Sequence, residues 1–330
     1  MEDLVSVIIP TYKRSSCLIR AINSVLNQTY KSIEIIVVDD NDEDSIYRKE
    51  NEQKLKKYVA MKKIIYIKHK KNLNGANARN TGINNSKGTY ITFLDDDDYF
   101  LPTRIERLVS LLKSNKSYDG AYSSVIFEDR NGIITNLFHA NYNENLQQMV
   151  LAGRGFFGTG SNMFFRRSII DKIGLFDGNF KRHQDFEYMV RFLQVYKILN
   201  VDEFLVVKVD FDGINIPNYK ALLDAKEKYL KKFDKIIKSY DSNIQKRIYV
   251  SHLYNLYNNA PCKEKGKLLK KLESYGEKKI NIYLKNLKLS LKNKLKKFKI
   301  VRIIYMIIIN GNKYRLSLTD LKESLENLDI

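Results

Sequence analysis

Cysteines and long apolar runs are scarce in this sequence of 330 residues, and each scarcity excludes a class of protein. No stretch reaches the roughly 18 consecutive apolar residues that a membrane-spanning helix needs. The chain starts with Met1-Glu2-Asp3, which is acidic where a secretory signal is basic. Its two cysteines, Cys17 and Cys262, lie far apart and outside any spacing typical of metal ligands. These observations predict a reduced, cytoplasmic protein without a disulfide framework.

Negative charge is scarce in only one part of the chain. The net charge is +19, and residues 216–330 carry 27 Lys and Arg against 11 Asp and Glu, whereas residues 1–215 carry 30 against 27. We therefore predict a nearly neutral domain over residues 1–215 and a basic helical region over residues 216–330.

Apolar residues of the basic region recur at helical spacing between lysines, at Leu284, Leu287, Leu291, Leu295 and Phe298. An apolar run follows over residues 303–309. A basic amphipathic helix of this kind is typical of the surface of an anionic membrane. The same pattern would also arise in a Lys-rich bundle that packs on the rest of the chain or on a partner subunit of an oligomer.

The first region alternates strand-like and helix-like segments. Apolar runs over residues 5–9 and 33–38 indicate buried strands, and apolar residues at helical spacing follow the first of them. Residues 63–68 and 90–94 indicate two further strands. This alternation predicts an α/β fold with a doubly wound, mostly parallel sheet that helices cover on both faces. In such folds, ligands bind at the carboxyl ends of the strands.

Four consecutive aspartates, at positions 95–98, follow the last of these strands. Like charges at the end of a buried strand are costly unless a cation neutralises them, and carboxylates are preferred ligands of Mg²⁺ and Mn²⁺. A solvated acidic turn is the alternative interpretation of a short acidic run. Asp39 and Asp40 end a second strand, so neighbouring strands would bring both acidic groups to one crevice.

Five motifs in the first region resemble, in their order and spacing, those of the inverting glycosyltransferases of family 2. They are Val5-Ser6-Val7-Ile8-Ile9-Pro10-Thr11-Tyr12, Ile35-Ile36-Val37-Val38-Asp39-Asp40, Asn77-Ala78-Arg79-Asn80-Thr81-Gly82, Phe93-Leu94-Asp95-Asp96-Asp97-Asp98 and His183-Gln184-Asp185-Phe186-Glu187. The resemblance covers about residues 4–210. It implies a GT-A fold, with a nucleotide-sugar half over about residues 1–100 and an acceptor half over about residues 101–215.

The resemblance also implies an activity. A sugar would pass from a nucleotide-sugar, expected to be a UDP-sugar, to a hydroxyl of a glycan acceptor, with Mn²⁺ or Mg²⁺ as the cofactor. Bacterial cell-surface polysaccharide biosynthesis uses such reactions, and an acceptor linked to a membrane lipid would suit the basic region. The expected location is therefore cytoplasmic, peripheral on the inner face of the cell membrane.

A set of residues is expected, from the resemblance, to bind the nucleotide. Tyr12 would stack on the pyrimidine ring, Asp39 would accept a hydrogen bond from the ring N–H, and Arg79 would hold the base or a phosphate. The whole expected set is Pro10, Thr11, Tyr12, Asp39, Asp40, Arg79, Asp95 and Asp96.

The Asp-x-Asp signature of the family is interpreted as Asp95-Asp96-Asp97. Asp95 would lie near the ribose, and Asp97, together with Asp95, would bind the metal ion. Asp96 and Asp98 have the same spacing, so the alternative register stays open at this point.

Asp185 is the expected catalytic base, because inverting transfer needs a carboxylate that takes the proton of the acceptor hydroxyl. No Ser or Cys nucleophile is required for a single displacement. Gln184 stands where family members usually have an acidic residue. Gly160, Ser161, His183 and Gln184 are expected to contact the donor sugar or the acceptor, although a lone histidine such as His183 is also commonly structural.

Several alternatives compete with this interpretation. Processive members of the family carry a Gln-x-x-Arg-Trp motif, whereas this chain has no tryptophan, which favours a single addition. A soluble transferase acting on a protein or a small glycan is the main alternative. A nucleotidyltransferase would have a glycine-rich loop after its first strand, which residues 10–14 lack. A nucleic-acid-binding protein would explain the charge, but no RNA-binding motif accompanies the lysines, so no nucleic-acid partner is expected.

Overall fold

The β-branched apolar runs form the strands of one sheet in the computed structural model, which describes residues 2–142, 144–210 and 218–284. The strands within these residues are β1 (Val5–Thr11), β2 (Ile33–Asp39), β3 (Ile65–Lys68), β4 (Tyr90–Phe93), β5 (Tyr99–Phe100), β6 (Gly120–Asp129), β7 (Ile134–Phe138), β8 (Phe164–Arg166) and β9 (Ile198–Asp210). The helices are α1 (Ser15–Leu26), α2 (Ile46–Ala60), α3 (Gly75–Asn84), α4 (Arg104–Ser114), α5 (Leu146–Leu151), α6 (Ile169–Ile173), α7 (Gln184–Leu193), α8 (Tyr219–Lys232), α9 (Asp234–Lys238), α10 (Ser242–Asn259) and α11 (Cys262–Ser274). A 3-10 turn covers Gly160–Asn162.

The strand order of the sheet is β3-β2-β1-β4-β8-β6-β9-β5, and β7 pairs with β6. The first four strands are parallel. In the second half, β8 runs antiparallel to both β4 and β6, while β9 is parallel to β6 and antiparallel to β5. The predicted α/β class is confirmed. The sheet is parallel in its first half, where helices connect successive strands, and mixed in its second half.

Helices cover both faces of the sheet because successive residues of a strand point to opposite sides. In β1, Val7 and Ile9 pack in one apolar cluster with α1 and α4, whereas Ile8 packs in a second cluster with α3 and α7. The carboxyl ends of β1, β2 and β4 meet at one edge between these two layers. This edge carries the acidic motifs.

Helices α8 and α10 of the basic region pack on the same cluster as α7. Tyr229 of α8 and Phe233, which directly follows α8, belong to that cluster, as does Ile248 of α10. Lys232 of α8 also forms an ion pair of 2.7 Å with Glu187 of α7, whose side chain is fully buried. The described part of the basic region is therefore attached to the rest of the fold, and a domain boundary at residues 215 and 216 stays a prediction.

Residues 285–330 lie outside the described residues, and with them most of the predicted amphipathic helix and the apolar run 303–309. Among the helices of the described ranges, none combines the length and the apolar character that a bilayer crossing requires.

A pair of glycine substitutions tests the packing of α3 on β1. A Cβ atom at Gly82 would overlap the side chain of Ile8, so we expect Gly82→Ala to lower the free energy of unfolding by about 1–3 kcal/mol. Gly266 is the matched control, because it lies in α11 and no described atom is within 4 Å of a Cβ there. Gly266→Ala should raise stability by about 0.5–1 kcal/mol, since alanine favours a helix. Urea denaturation measures both changes, and equal changes in the two variants would contradict close packing of α3.

Candidate active site

Two adjoining cavities lie at the edge where β1, β2 and β4 end. The larger cavity, of about 600 Å³, is lined mainly by residues that follow these strands and by the start of α3. The smaller cavity, of about 390 Å³, lies at the start of α7. Arg79, Asp95, Lys181 and Gln184 line both cavities, so the two form one continuous site with a shared wall.

Most of the residues predicted to bind a nucleotide line the larger cavity. They are Pro10, Thr11, Tyr12, Asp40, Arg79, Asp95 and Asp96. Tyr12 is 39% exposed, and its ring lies 5.0 Å from the Nζ atom of Lys13. A flat, accessible aromatic face at the mouth of a cavity is suited to stacking on a base.

Asp39 is the exception, because its side chain is fully buried and does not line the cavity. One carboxylate oxygen accepts hydrogen bonds from the backbone and side-chain nitrogens of Asn41, at 3.0 and 2.8 Å. The other accepts from Asn51 and Tyr66, at 2.9 and 2.6 Å, and forms an ion pair with Arg48 at 3.2 Å. The geometry therefore does not support the predicted contact of Asp39 with a base, since its oxygens are occupied by protein donors. Asp39 instead holds the carboxyl end of β2.

Asp40, which was also predicted to bind the nucleotide, lines the larger cavity where its neighbour Asp39 does not. Its carboxylate accepts hydrogen bonds from the backbone of Leu73 and the side chain of Asn72, both at 2.8 Å. His69 Nδ1 lies 2.7 Å from it, and His69 Nε2 lies 2.9 Å from Thr81 of α3. Burial raises the pKa of Asp40, while the hydrogen bond with His69 opposes this effect. These contacts fix Asp40 at the wall of the larger cavity.

Each of the first three aspartates of the acidic run contacts a basic or backbone group. Asp95 forms an ion pair of 2.5 Å with Arg79, across the wall that the two cavities share. Asp96 accepts a hydrogen bond of 3.3 Å from the backbone of Tyr12, and Asp97 pairs with Arg14. The acidic run is thus not a solvated turn, because its carboxylates are directed into the protein or into the cavity.

Asp98 differs from the others because its hydrogen-bond donors are neutral groups in the protein interior, while the positive charge of Lys208 also acts on it. Its carboxylate accepts hydrogen bonds from the hydroxyls of Ser161 and Thr159, at 2.6 and 3.2 Å, and from the backbone of Val209 at 3.1 Å. Asp98 is fully buried, and burial raises its pKa. Its role in the structure is to hold the loop after β4 against the turn at Gly160–Asn162.

The acidic run has the composition of a site for a hard divalent cation. Carboxylate oxygens of Asp95, Asp97 and Asp98 lie within 4.8 Å of one another. Burial and the neighbouring carboxylates raise the pKa of Asp97, while the positive charge of Arg14 opposes this effect. A divalent cation would relieve this repulsion, so the residues fit such an ion.

Arg104 is a site residue that the sequence analysis missed. It begins α4 and is fully buried, and it donates hydrogen bonds to Ser123 and Asn162, both at 3.0 Å, and to the backbone oxygen of Ser161 at 3.3 Å. The described part of the chain offers it no carboxylate within 4.0 Å, and burial lowers its pKa to about 9. Ser161 in turn accepts a hydrogen bond of 3.0 Å from the backbone of Asp95. Arg104 therefore supports the turn that positions the acidic run.

Asp185 lies in the first turn of α7 and lines the smaller cavity. Burial raises the pKa of its carboxyl, and the positive charge of Arg79 opposes this effect. A Cβ atom at Gly160 would lie between 3.8 and 4.0 Å from Arg79, Asp95 and Asp185. The three charged side chains therefore converge on Gly160, where the absence of a side chain leaves space.

The other predicted contacts also lie at this point. His183 and Gln184 line the smaller cavity, as does Gly160, while Ser161 contacts the acidic run from behind. His183 Nε2 and Gln184 Oε1 are buried and have no hydrogen-bond partner within the described residues. Burial lowers the pKa of His183 to about 4, so its ring is neutral near pH 7.

A family model described as "Glycosyl transferase family 2" matches residues 6–174, just over half of the chain. Curated relatives include an uncharacterized glycosyltransferase of Methanocaldococcus jannaschii, which is 31% identical over 208 residues, covering 62% of this chain and 70% of that protein. Another is the Escherichia coli protein named UDP-Glc:alpha-D-GlcNAc-diphosphoundecaprenol beta-1,3-glucosyltransferase WfaP. It is 35% identical over 136 residues, so this chain spans only 51% of its length, and the match covers 41% of this chain.

Among solved structures, S. aureus TarS residues 1–349 in complex with UDP-GlcNAc superposes with a TM-score of 0.55 at 15% sequence identity. The superposition covers 88% of this chain and 92% of TarS 1–349, which shows a shared fold in agreement with the predicted GT-A architecture. The fold, the family match and the relatives agree with one another. The chain therefore belongs to glycosyl transferase family 2 and is a glycosyltransferase.

Proposed function

We propose that this glycosyltransferase moves a sugar, with inversion, from a UDP-sugar in the larger cavity to a hydroxyl of a glycan acceptor in the smaller cavity. The observation that best supports this proposal is the convergence of Arg79, Asp95 and Asp185 on Gly160 in the smaller cavity, because Arg79 and Asp95 also line the larger cavity. One cavity alone would suit a binding protein. Two cavities that share a charged wall suit a reaction between two bound molecules.

The nucleotide would occupy the larger cavity. Tyr12 offers an exposed ring for stacking on the base, and Asp40 offers a fixed carboxylate in place of the buried Asp39. Two of the comparison proteins favour uridine, since TarS was solved with UDP-GlcNAc and the E. coli relative is named for UDP-Glc. Arg79 would contact a phosphate, and its position on the shared wall beside Asp95 supports this role.

Asp95 and Asp97 would hold a Mn²⁺ or Mg²⁺ ion. The carboxylate of Asp98 already accepts hydrogen bonds from Ser161, Thr159 and Val209. This favours Asp95 and Asp97 as the metal-binding pair over Asp96 and Asp98. When bound, such an ion neutralises charge on the departing nucleoside diphosphate. In the structure described here, Arg14 and Arg79 pair with these two carboxylates, so both arginines are also close enough to serve the diphosphate.

Asp185 would act as the general base. The acceptor oxygen forms a bond to the anomeric carbon of the sugar while the bond from that carbon to the diphosphate breaks, and the hydroxyl proton passes to Asp185. The raised pKa of Asp185 would strengthen it as a base, and its position in the smaller cavity supports a role on the acceptor side. No covalent intermediate is needed.

A lipid-linked glycan is the acceptor that we propose. The E. coli relative is named for a diphosphoundecaprenol acceptor, and the basic region over residues 216–330 would attract an anionic membrane surface. The chain would then work as a peripheral protein on the inner face of the cell membrane.

Substitution of the proposed base tests the mechanism. We expect Asp185→Asn to lower the transfer rate by about 10²–10⁴-fold, because an amide cannot accept the hydroxyl proton. UDP affinity should stay within a factor of two, since Asp185 does not line the larger cavity. Asp171→Asn, an exposed carboxylate on α6, is the matched control and should change neither quantity. Transfer assays and calorimetry measure both, and full activity of Asp185→Asn would refute the assignment.

The pH dependence of transfer provides a second test. The active form of Asp185 is ionised, so activity should fall as the pH is lowered through its raised pKa. The acid limb of the rate profile should therefore lie above the usual carboxyl value of 3.8. Arg79→Gln removes the cation that opposes this shift, so its acid limb should move to still higher pH. The exposed control Lys231→Gln should leave the limb unchanged, and a downward shift in Arg79→Gln would contradict the proposed environment of Asp185.

Paired alanine variants distinguish the two registers of the acidic run. Asp97→Ala should abolish the increase in UDP affinity that Mn²⁺ produces, with little loss of stability. Asp98→Ala should lower the free energy of unfolding by about 1–3 kcal/mol, because the N–H of Val209 and two hydroxyls lose their acceptor. Calorimetry with and without Mn²⁺ and urea denaturation make the comparison. If Asp98→Ala loses the metal effect while Asp97→Ala keeps it, the register is Asp96 and Asp98.

A further inference from the structure

Asp40 and His69 form a buried pair of which only Asp40 lines the larger cavity. Their side chains are 3% and 8% exposed, and His69 Nδ1 lies 2.7 Å from the carboxylate. Any effect of His69 on a ligand in this cavity would therefore pass through Asp40.

Both ring nitrogens of His69 have a partner. An ionised carboxylate only accepts hydrogen bonds, so Nδ1 carries a proton and donates it to Asp40. Nε2 lies 2.9 Å from the hydroxyl of Thr81 in α3. Because a hydroxyl both donates and accepts, Thr81 is a suitable partner for the neutral and for the protonated ring. The donation to Asp40 therefore persists in both charge states of His69.

The backbone of His69 is fixed independently of its ring. Its N–H donates to the backbone oxygen of Asp39 at 2.9 Å, and its backbone oxygen accepts from Arg48 at 2.8 Å. A substitution that removes only the ring leaves both of these hydrogen bonds in place. The side chain can therefore be changed while the chain after β3 keeps its position.

Opposing effects act on the charge of Asp40. Burial raises the pKa of its carboxyl. The hydrogen bond and the charge of His69 lower it, as do the backbone N–H groups of Leu73 and Asn74. His69 is thus a side chain that helps to keep Asp40 ionised, and therefore a hydrogen-bond acceptor.

Other charged groups surround the pair. Beside Asp40 in the chain, Asp39 pairs with Arg48, and Asp42 accepts a hydrogen bond from the backbone of Asn72. The charged side chains that line the larger cavity together with Asp40 are Lys13, Arg14, Arg79, Asp95, Asp96 and Lys181. These groups would act on the diphosphate of any nucleotide, whichever base it carries.

The protonation state of Asp40 matters because pyrimidine bases differ at one ring nitrogen. Uracil and thymine have an imide N–H there, whereas cytosine has a lone pair. An ionised carboxylate accepts a hydrogen bond from the imide and repels the lone pair of cytosine. A protonated carboxyl could instead donate to cytosine. A site that presents only an acceptor therefore discriminates between the two kinds of base.

We infer that His69 is a positioning residue for nucleotide selection, which holds Asp40 as a hydrogen-bond acceptor so that the larger cavity favours a base with an imide N–H over cytosine. This inference rests on the proposed function, because it takes the larger cavity as the nucleotide site. It adds that selectivity depends on a residue outside the wall of that cavity. Thr81 supports the same role by orienting the ring.

The ratio of UDP affinity to CDP affinity tests the inference. Calorimetry on the full chain measures both affinities at several pH values above the range in which cytosine itself is protonated. Contacts with the diphosphate affect both nucleotides alike and cancel in the ratio. We expect the unmodified chain to bind UDP at least about tenfold more tightly than CDP near pH 7, as one hydrogen bond to a charged group would give.

Removal of the ring should reduce this selectivity. We expect His69→Leu to lower the ratio about tenfold, because Asp40 loses a donor that holds it ionised. UDP binding needs ionised Asp40, so the ratio should fall as the pH is lowered through the pKa of that carboxyl. Loss of His69 raises this pKa further, so the fall should occur at higher pH in His69→Leu than in the unmodified chain.

Three variants serve as comparisons. His69→Asn keeps a side-chain N–H near the position of Nδ1, so the ratio should stay within a factor of two. Thr81→Val removes the partner of Nε2 and should lower the ratio by a smaller factor than His69→Leu. Thr135→Val is the matched control, since Thr135 lies in β7 and lines neither cavity. Thermal denaturation checks folding, and Thr81→Val provides the comparison if His69→Leu does not fold.

The outcomes separate this inference from the proposed function. Failure of the unmodified chain to bind UDP refutes the proposed function and the inference with it. Binding of UDP without preference over CDP overturns the inference alone. So does an equal loss of both affinities in His69→Leu, because His69 would then have only a structural role. A loss of selectivity in His69→Asn as large as in His69→Leu also overturns it.

Discussion

Burial of negative charge at the end of β4 is the constraint on which the rest of the site depends. Four adjacent carboxylates repel one another, and three of them are almost inaccessible to water. In the fold, the four carboxylates have different partners. Asp95 and Asp97 face arginines at the cavity, whereas Asp98 accepts three hydrogen bonds from the interior. Of the four, Asp95 and Asp96 line the larger cavity, and the hydrogen bonds of Asp98 fix the loop that carries them.

Two buried arginines hold in place the loops near the acidic run. Arg48 pairs with Asp39 and donates to the backbone oxygens of Asn41 and His69, which fixes the chain after β2 and β3. Arg104 performs the same task for the turn at Gly160–Asn162. Guanidinium groups suit this role because each has several donors in a rigid plane. Loops that must leave space for a ligand are in this way held rigid by hydrogen bonds from the protein interior.

The position of a site motif could be predicted from the sequence where the motif lies at the end of a strand or at the start of a helix. Strand-like runs ending in aspartates predicted the α/β class and the edge where the cavities lie, and the motif at the start of α7 predicted Asp185, which lines the smaller cavity. The sequence could not show which of Asp39 and Asp40 lines the larger cavity. Adjacent residues at a strand end point in opposite directions, and only tertiary contacts decide which side chain is buried. Arg104 was missed because its partners, Ser123 and Asn162, lie far away in the chain. Its one local signal was a charged residue beside the apolar stripe of α4.

The contacts of Leu222 and Glu187 show which parts of the chain form the two cavities of the site. The larger cavity is built largely from the first hundred residues, whereas the smaller one takes part of its wall from α8, which Lys232 attaches to α7 through Glu187. Under the proposed function, the residues that would select the donor and those that would select the acceptor therefore lie largely on separate stretches of the chain. Exchange of the helices after β9 would then be a route to new acceptors that leaves the nucleotide site unchanged.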